Sequence, residues 1–115
     1  MKSLKSVILS ILIAFSLTSF SSIALAGNTQ TVAKITSHID EAITSINAND
    51  DAAAVAHIKE AKRARGELNS EGNAAKIGRL TKHFNKAKKY LKKSDSAGAI
   101  AELEKAKNGY NAIQF

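Results

Sequence analysis

Two short phrases in this chain put an imidazole and a carboxylate three residues apart: His38-Ile39-Asp40-Glu41 and His57-Ile58-Lys59-Glu60. Residues at that spacing share one face of a helix, so each phrase can present a ring nitrogen and a carboxylate oxygen together. Between them, Asn47-Ala48-Asn49 interrupts the apolar pattern. Folding the chain back at that break sets His57 opposite roughly Glu41 and within about one helical turn of His38. Two nitrogens and one or two oxygens at one level form a suitable set for copper, nickel or zinc. The expected metal ligands are His38 and His57, with Glu41 and Glu60 assisting. Cysteine is absent, which removes thiolate ligands and disulfides. No glycine-rich phosphate loop or GxSxG elbow occurs, and nothing pairs a nucleophile with a base. An enzyme is therefore not expected, nor an organic cofactor.

The elements that must hold these residues are written twice. Shifted by 45 positions, Asn28–Leu68 aligns without a gap on Asn73–Ile113. Ten of the 41 pairs are identical, among them His38/His83, Ala42/Ala87, Asp50/Asp95, Ala54/Ala99 and Ala61/Ala106. Apolar swaps fall in register too, such as Ile35/Leu80, Ile39/Phe84 and Ile58/Leu103. A repeat of this kind precedes any assignment of fold. Asn28, Asp50, Asn73 and Asp95 each stand before a helical stretch, where their side chains can cap the free N–H groups of the first turn. The repeated alanines are expected to let helices approach closely. In the second copy Lys86 stands where Glu41 was and Glu102 where His57 was. His83 with Glu102 is expected to form a weaker second site.

Four helices are predicted. The first runs from about Thr29 to Ile46 on Val32, Ile35, Ile39, Ala42, Ile43 and Ile46, and the second from Asp50 to about Leu68 on Ala54, Val55, Ile58, Ala61 and Ala64. The polar break Asn69-Ser70-Glu71-Gly72 separates the copies. A third helix runs from Ala74 to about Lys93 on Ile77, Leu80, Phe84, Ala87 and Leu91. After the turn Ser94-Asp95-Ser96 comes the fourth, on Ile100, Leu103, Ala106, Tyr110 and Ile113. Short connections make successive helices antiparallel neighbours. One hairpin has a single apolar face and cannot bury it alone, whereas two can bury theirs against each other. The predicted fold is all-α: an up-down-up-down four-helix bundle of two repeated helical hairpins, expected to be monomeric. A tetratricopeptide-like pair fits less well, because its repeat is shorter and uses large aromatics that are missing here.

The first 26 residues have the form of a signal peptide. Met1, Lys2 and Lys5 make a positive start, Val7 to Leu17 an apolar run and Ala24-Leu25-Ala26 a cleavage motif. The competing reading is an uncleaved anchor over Val7–Ala26, against which stand its serines and small terminal residues. Cleavage implies a bacterial periplasmic or secreted protein with no transmembrane segment. It leaves 89 of 115 residues, Gly27–Phe115, enough for one small domain. Loss of Lys2 and Lys5, with no acid lost, lowers the formal charge from +7 to +5. Proline is absent, and alanine and lysine dominate, as in an all-helical chain.

Much of that charge is on the third predicted helix. Eight lysines and arginines fall between Lys76 and Lys93 with no acid among them; six are Lys82, Lys86, Lys88, Lys89, Lys92 and Lys93. Such a face can attract a polyanion or an acidic protein surface. Only Tyr90 and Phe84 are interleaved, and Phe84 belongs to the core stripe, so base stacking has little support. The competing readings are a solvated face and a structural or stress-related protein without a ligand.

Across the mature chain the pattern resembles the small metal-binding protein family, which consists of periplasmic, cysteine-free, histidine-rich four-helix bundles built of repeated hairpins. HIDEAITS and AHIKEAK in the first copy and HFNKAKKY in the second carry the resemblance. It implies a bundle that binds divalent metals, copper among them, with His38, His57 and His83 matching family histidines. Where such proteins carry further histidines, this chain has Ser45, Asp50, Ala64, Tyr90, Asp95, Glu102 and Gly109. Of these, Asp50, Asp95 and Glu102 retain ligating oxygens. The resemblance thus implies one or few metal sites rather than many.

Overall fold

The structure is a computed structural model that describes residues 27–68 and 72–114. The signal-peptide reading of residues 1–26 lies outside the described residues, as does the break at 69–71. Four helices follow in order: α1 (Gly27–Asn47), α2 (Asp51–Arg65), α3 (Ala74–Lys92) and α4 (Ser96–Ala112). Among the described residues there is no strand. Helix α2 ends three residues earlier than its periodicity predicts. Gly66, Glu67 and Leu68 donate their N–H groups to carbonyls three residues back, a tightened last turn that still returns Leu68 to the core.

The two hairpins turn in the same way. Asn49 and Ser94, which correspond in the repeat, have φ of 62° and 61°. The next N–H crosses back over the turn: Asp50 N donates to Ser45 O at 2.8 Å, and Asp95 N to Tyr90 O at 2.9 Å. This is a Schellman closure, which satisfies the last carbonyls of one helix. The aspartate then caps the next helix: Asp50 Oδ1 accepts from Ala53 N at 3.1 Å, and Asp95 Oδ1 from Gly98 N at 2.9 Å. Both are thus committed as caps rather than held for a metal. The asparagine caps are a correction. Asn28 lies inside α1, and Asn73 caps α3 in position only: its amide nitrogen turns to the Gln114 carbonyl at 3.5 Å. Its side chain makes no capping hydrogen bond to the first turn of α3.

Burial follows the predicted stripes. Ile35, Ile39, Ile58, Phe84, Leu103 and Tyr110 are fully enclosed, and the Phe84 and Tyr110 rings lie 5.9 Å apart. Val32, Ile43, Val55, Leu80, Ile100 and Ile113 flank this core and are partly covered. The repeated alanines divide. Ala42/Ala87, Ala54/Ala99 and Ala61/Ala106 are buried between helices, whereas Ala52/Ala97 and Ala56/Ala101 are exposed and serve only helix propensity. Helix α1 packs most closely on α2, and α3 on α4. The two hairpins meet mainly where α1 lies against α4, with a lighter contact of α2 on α3. Lys107 Nζ to Asp40 Oδ1 at 2.8 Å ties α4 to α1, and Lys62 Nζ donates to Asn85 Oδ1 at 2.8 Å across α2 and α3.

Candidate metal centre

The α1–α2 hairpin brings three of the predicted ligands together. His38 sits one residue before the buried Ile39, and His57 one before the buried Ile58, so both rings lie at the edge of the core rather than in it. Antiparallel packing places them on facing flanks, with ring centroids 6.0 Å apart and planes 29° from parallel. Glu41 lies between them. Its Oε1 is 3.1 Å from His38 Nδ1 and 3.1 Å from His57 Nδ1. One donor atom from each of the three residues lies within 4.8 Å of the others. The side chains are 28 %, 26 % and 15 % exposed, which leaves room for water or a further ligand. Beneath them, buried Ser45 satisfies its hydroxyl by donating to the Glu41 carbonyl at 3.0 Å.

Three predicted ligands, Glu60 and the His83–Glu102 pair, are not part of this arrangement. Glu60 has the same spacing from His57 as Glu41 has from His38, yet it points outward, 48 % exposed and 3.7 Å from Arg63 Nη1. The other two belong to the expected second site. His83 and Glu102 do meet, His83 Nδ1 to Glu102 Oε1 at 2.7 Å, but as an interhelical hydrogen bond. Lys105 Nζ stands 3.5 Å from the second carboxylate oxygen, and Lys86 is exposed on the other helix. Glu102 is only 6 % exposed. The hydrogen bond from His83, then the positive field of Lys105, hold its carboxyl below the usual 4.5 against the opposing effect of burial. Among the described residues no third ligand joins this pair.

The basic face of α3 is present, and it extends further than the sequence indicated. Lys82, Lys86, Lys89, Lys92 and Lys93 are exposed and Lys88 is half-buried. Lys88 has its pKa lowered, first by burial and then by the positive charges of Lys62, Lys59 and Lys92. Lys59 and Lys62 come from α2, so the basic region spans two helices. Their spacing of three residues on one flank of α2 was the available signal; that this flank faces α3 depends on the fold. Comparison with protein-family models, curated proteins and solved structures finds no match for this chain.

Proposed function

We propose that this protein is a small metal-binding protein that holds one divalent transition metal, copper favoured, between α1 and α2. The observation that supports this is the convergence of His38, Glu41 and His57 from two helices on one point. Two imidazoles and a carboxylate suit borderline divalent ions, and copper(II) heads the order of affinity for such donors. Zinc and nickel are the competing ions. Binding is reversible and of modest affinity, since the site is partly exposed and supplies three ligands. Protons compete for both imidazoles, so acidification releases the metal. The role is that of a monomeric binding protein rather than an enzyme, in the periplasm or outside the cell if the first 26 residues are a signal peptide.

Calorimetric titration of copper, nickel and zinc into tag-free residues 27–115 tests this, repeated with His38→Ala, His57→Ala and both together. One ion per chain is expected in the wild type, with copper tightest, and none at that affinity in the double variant. Equal binding by wild type and double variant removes the proposal.

A further inference from the structure

Helix α3 presents an unusual surface. Arg79, Lys82, Lys86, Lys89 and Lys93 follow at steps of three and four residues, so they form one row about 21 Å long. The row is exposed throughout and lies opposite the buried row of Ile77, Phe84, Ala87 and Leu91. Next to it, Lys88 and Lys92 on the flank of α3 gather with Lys59 and Lys62 of α2. The bond from Lys62 to Asn85 fixes the register of the two helices there. Elsewhere four basic side chains have acidic partners: Lys34 pairs with Glu67, Arg63 with Glu60, Lys105 with Glu102 and Lys107 with Asp40. Among the described residues, no lysine or arginine of α3 has an acidic partner. Like charges crowded without counter-charges are unfavourable for the fold alone and are relieved by an external anion.

We infer that this two-helix lysine face docks on an anionic membrane surface, held by lipid phosphate headgroups. The composition of the face selects this occupant. Single-stranded nucleic acid is held by bases stacked on aromatic rings, and planar two-point recognition of phosphate favours arginine. The row contains one arginine and no aromatic residue. Lysine is a mobile point charge that suits a fluid, delocalised array of headgroups. The row also has no large apolar side chain to enter the acyl region, and no described helix is long and apolar enough to cross a membrane. Attachment is therefore electrostatic adsorption, reversible by salt. It uses the α2–α3 side of the bundle and does not depend on a metal at His38 and His57.

Co-sedimentation of residues 27–115 with phosphatidylcholine–phosphatidylglycerol vesicles tests the inference, with pure phosphatidylcholine vesicles as reference. Binding is expected only to the anionic vesicles and is expected to fall steeply as salt rises. Each lysine near such a surface strengthens binding roughly fivefold. Lys88→Glu with Lys92→Glu should thus weaken it at least about twentyfold. The control Lys34→Glu with Lys107→Glu makes the same change in net charge away from the face and should weaken it far less. Lys88→Gln with Lys92→Gln, which introduces no new charge, should show an intermediate loss, and His38→Ala no loss. Equal weakening by the face and control variants would reduce the effect to net charge and overturn the inference. Equal binding to neutral vesicles would do the same. Tighter binding to duplex DNA than to anionic vesicles at equal salt would assign the face to nucleic acid instead.

Discussion

The two hairpins are one design with two outcomes. At the same level of each, four corresponding positions line the two helices, and one imidazole–carboxylate contact crosses between them. The first hairpin has His38, Glu41, His57 and Glu60; the second has His83, Lys86, Glu102 and Lys105. In both, a carboxylate oxygen meets an imidazole Nδ1 across the hairpin, Glu41 to His57 and Glu102 to His83. The carboxylate has moved from the first helix of the pair to the second. The first hairpin is left with two imidazoles on one carboxylate, the donor set on which the proposed metal site rests. In the second the carboxylate is buried and shared with Lys105, and among the described residues no third donor joins it. A pair of charge exchanges thus separates a three-donor cluster from a histidine–carboxylate–lysine cluster on the same backbone.

Steric exchanges run alongside. Tyr90 replaces Ser45, and opposite it Gly98 replaces Ala53. A Cβ at Gly98 would stand 2.8 Å from Tyr90 Cδ1. Leu80 replaces Ile35, and Gly109 replaces Ala64; a Cβ at Gly109 would collide with Leu80 Cδ2. Both glycines are in the second hairpin, because there the larger Tyr90 and the differently branched Leu80 occupy the space.

The largest effect is expected in the shared core. Ile39→Ala and Phe84→Ala alter corresponding, fully buried positions. Each should cost about 2–5 kcal/mol in denaturant unfolding. Phe84→Ala should cost more, since the Tyr110 ring also loses its stacking partner. Wild-type midpoints in both would mean that the halves do not share a core. Next comes the metal. At about a hundred times its dissociation constant, copper should stabilise the wild type by about 2.7 kcal/mol and the His38→Ala, His57→Ala double variant by far less. Converting the second hairpin to the pattern of the first, with Lys86→Glu and Glu102→His, should raise calorimetric stoichiometry from one ion to two. A value that stays at one would show that more than these positions separates the halves.

Gly98→Ala and Gly109→Ala should each destabilise by about 1–3 kcal/mol through overpacking, although alanine is the better helix former. Adding Tyr90→Ser to Gly98→Ala should recover most of the loss, as the first hairpin already combines serine and alanine. Thermal melts of the single and double variants decide this. His83→Ala should cost about 1–3 kcal/mol by depriving the buried Glu102 of its shortest contact. His38→Ala should cost less, because Glu41 keeps His57. The pH dependence follows from Glu102. Its lowered folded pKa means that its contribution is fully present above 4.5 and drains away as pH falls from 4.5 to the lower folded value. Glu102→Gln should lack that part of the acid slope when unfolding midpoints are measured against pH. The smallest effect belongs to the turns. Ser94→Gly should stabilise by about 1 kcal/mol, and Asn49→Gly by less, because asparagine already tolerates the left-handed region.

Local chemistry made much of this readable in the chain. Three- and four-residue apolar spacing defines a helix face wherever it occurs, and Asp50 and Asp95 cap helices through bonds to residues three positions away. The repeat and the bundle class follow from these near-neighbour rules. Asparagine is a weaker signal: Asn28 lies within α1, and Asn73, at the cap position of α3, donates instead to the carbonyl of Gln114 at the far end of α4. What packing alone decided is the relative register of the helices. Spacing treats the two H-x-x-E phrases as equals, yet the antiparallel fit of α1 on α2 sets Glu41 between two imidazoles and leaves Glu60 outside with Arg63. The fit of α4 on α3 buries Glu102, and that of α2 on α3 turns the Lys59 and Lys62 flank towards Lys88. Sequence spacing fixes the angle of a side chain around its own helix; which partner it meets depends on how far one helix slides and turns against the next, and burial of the whole core determines that.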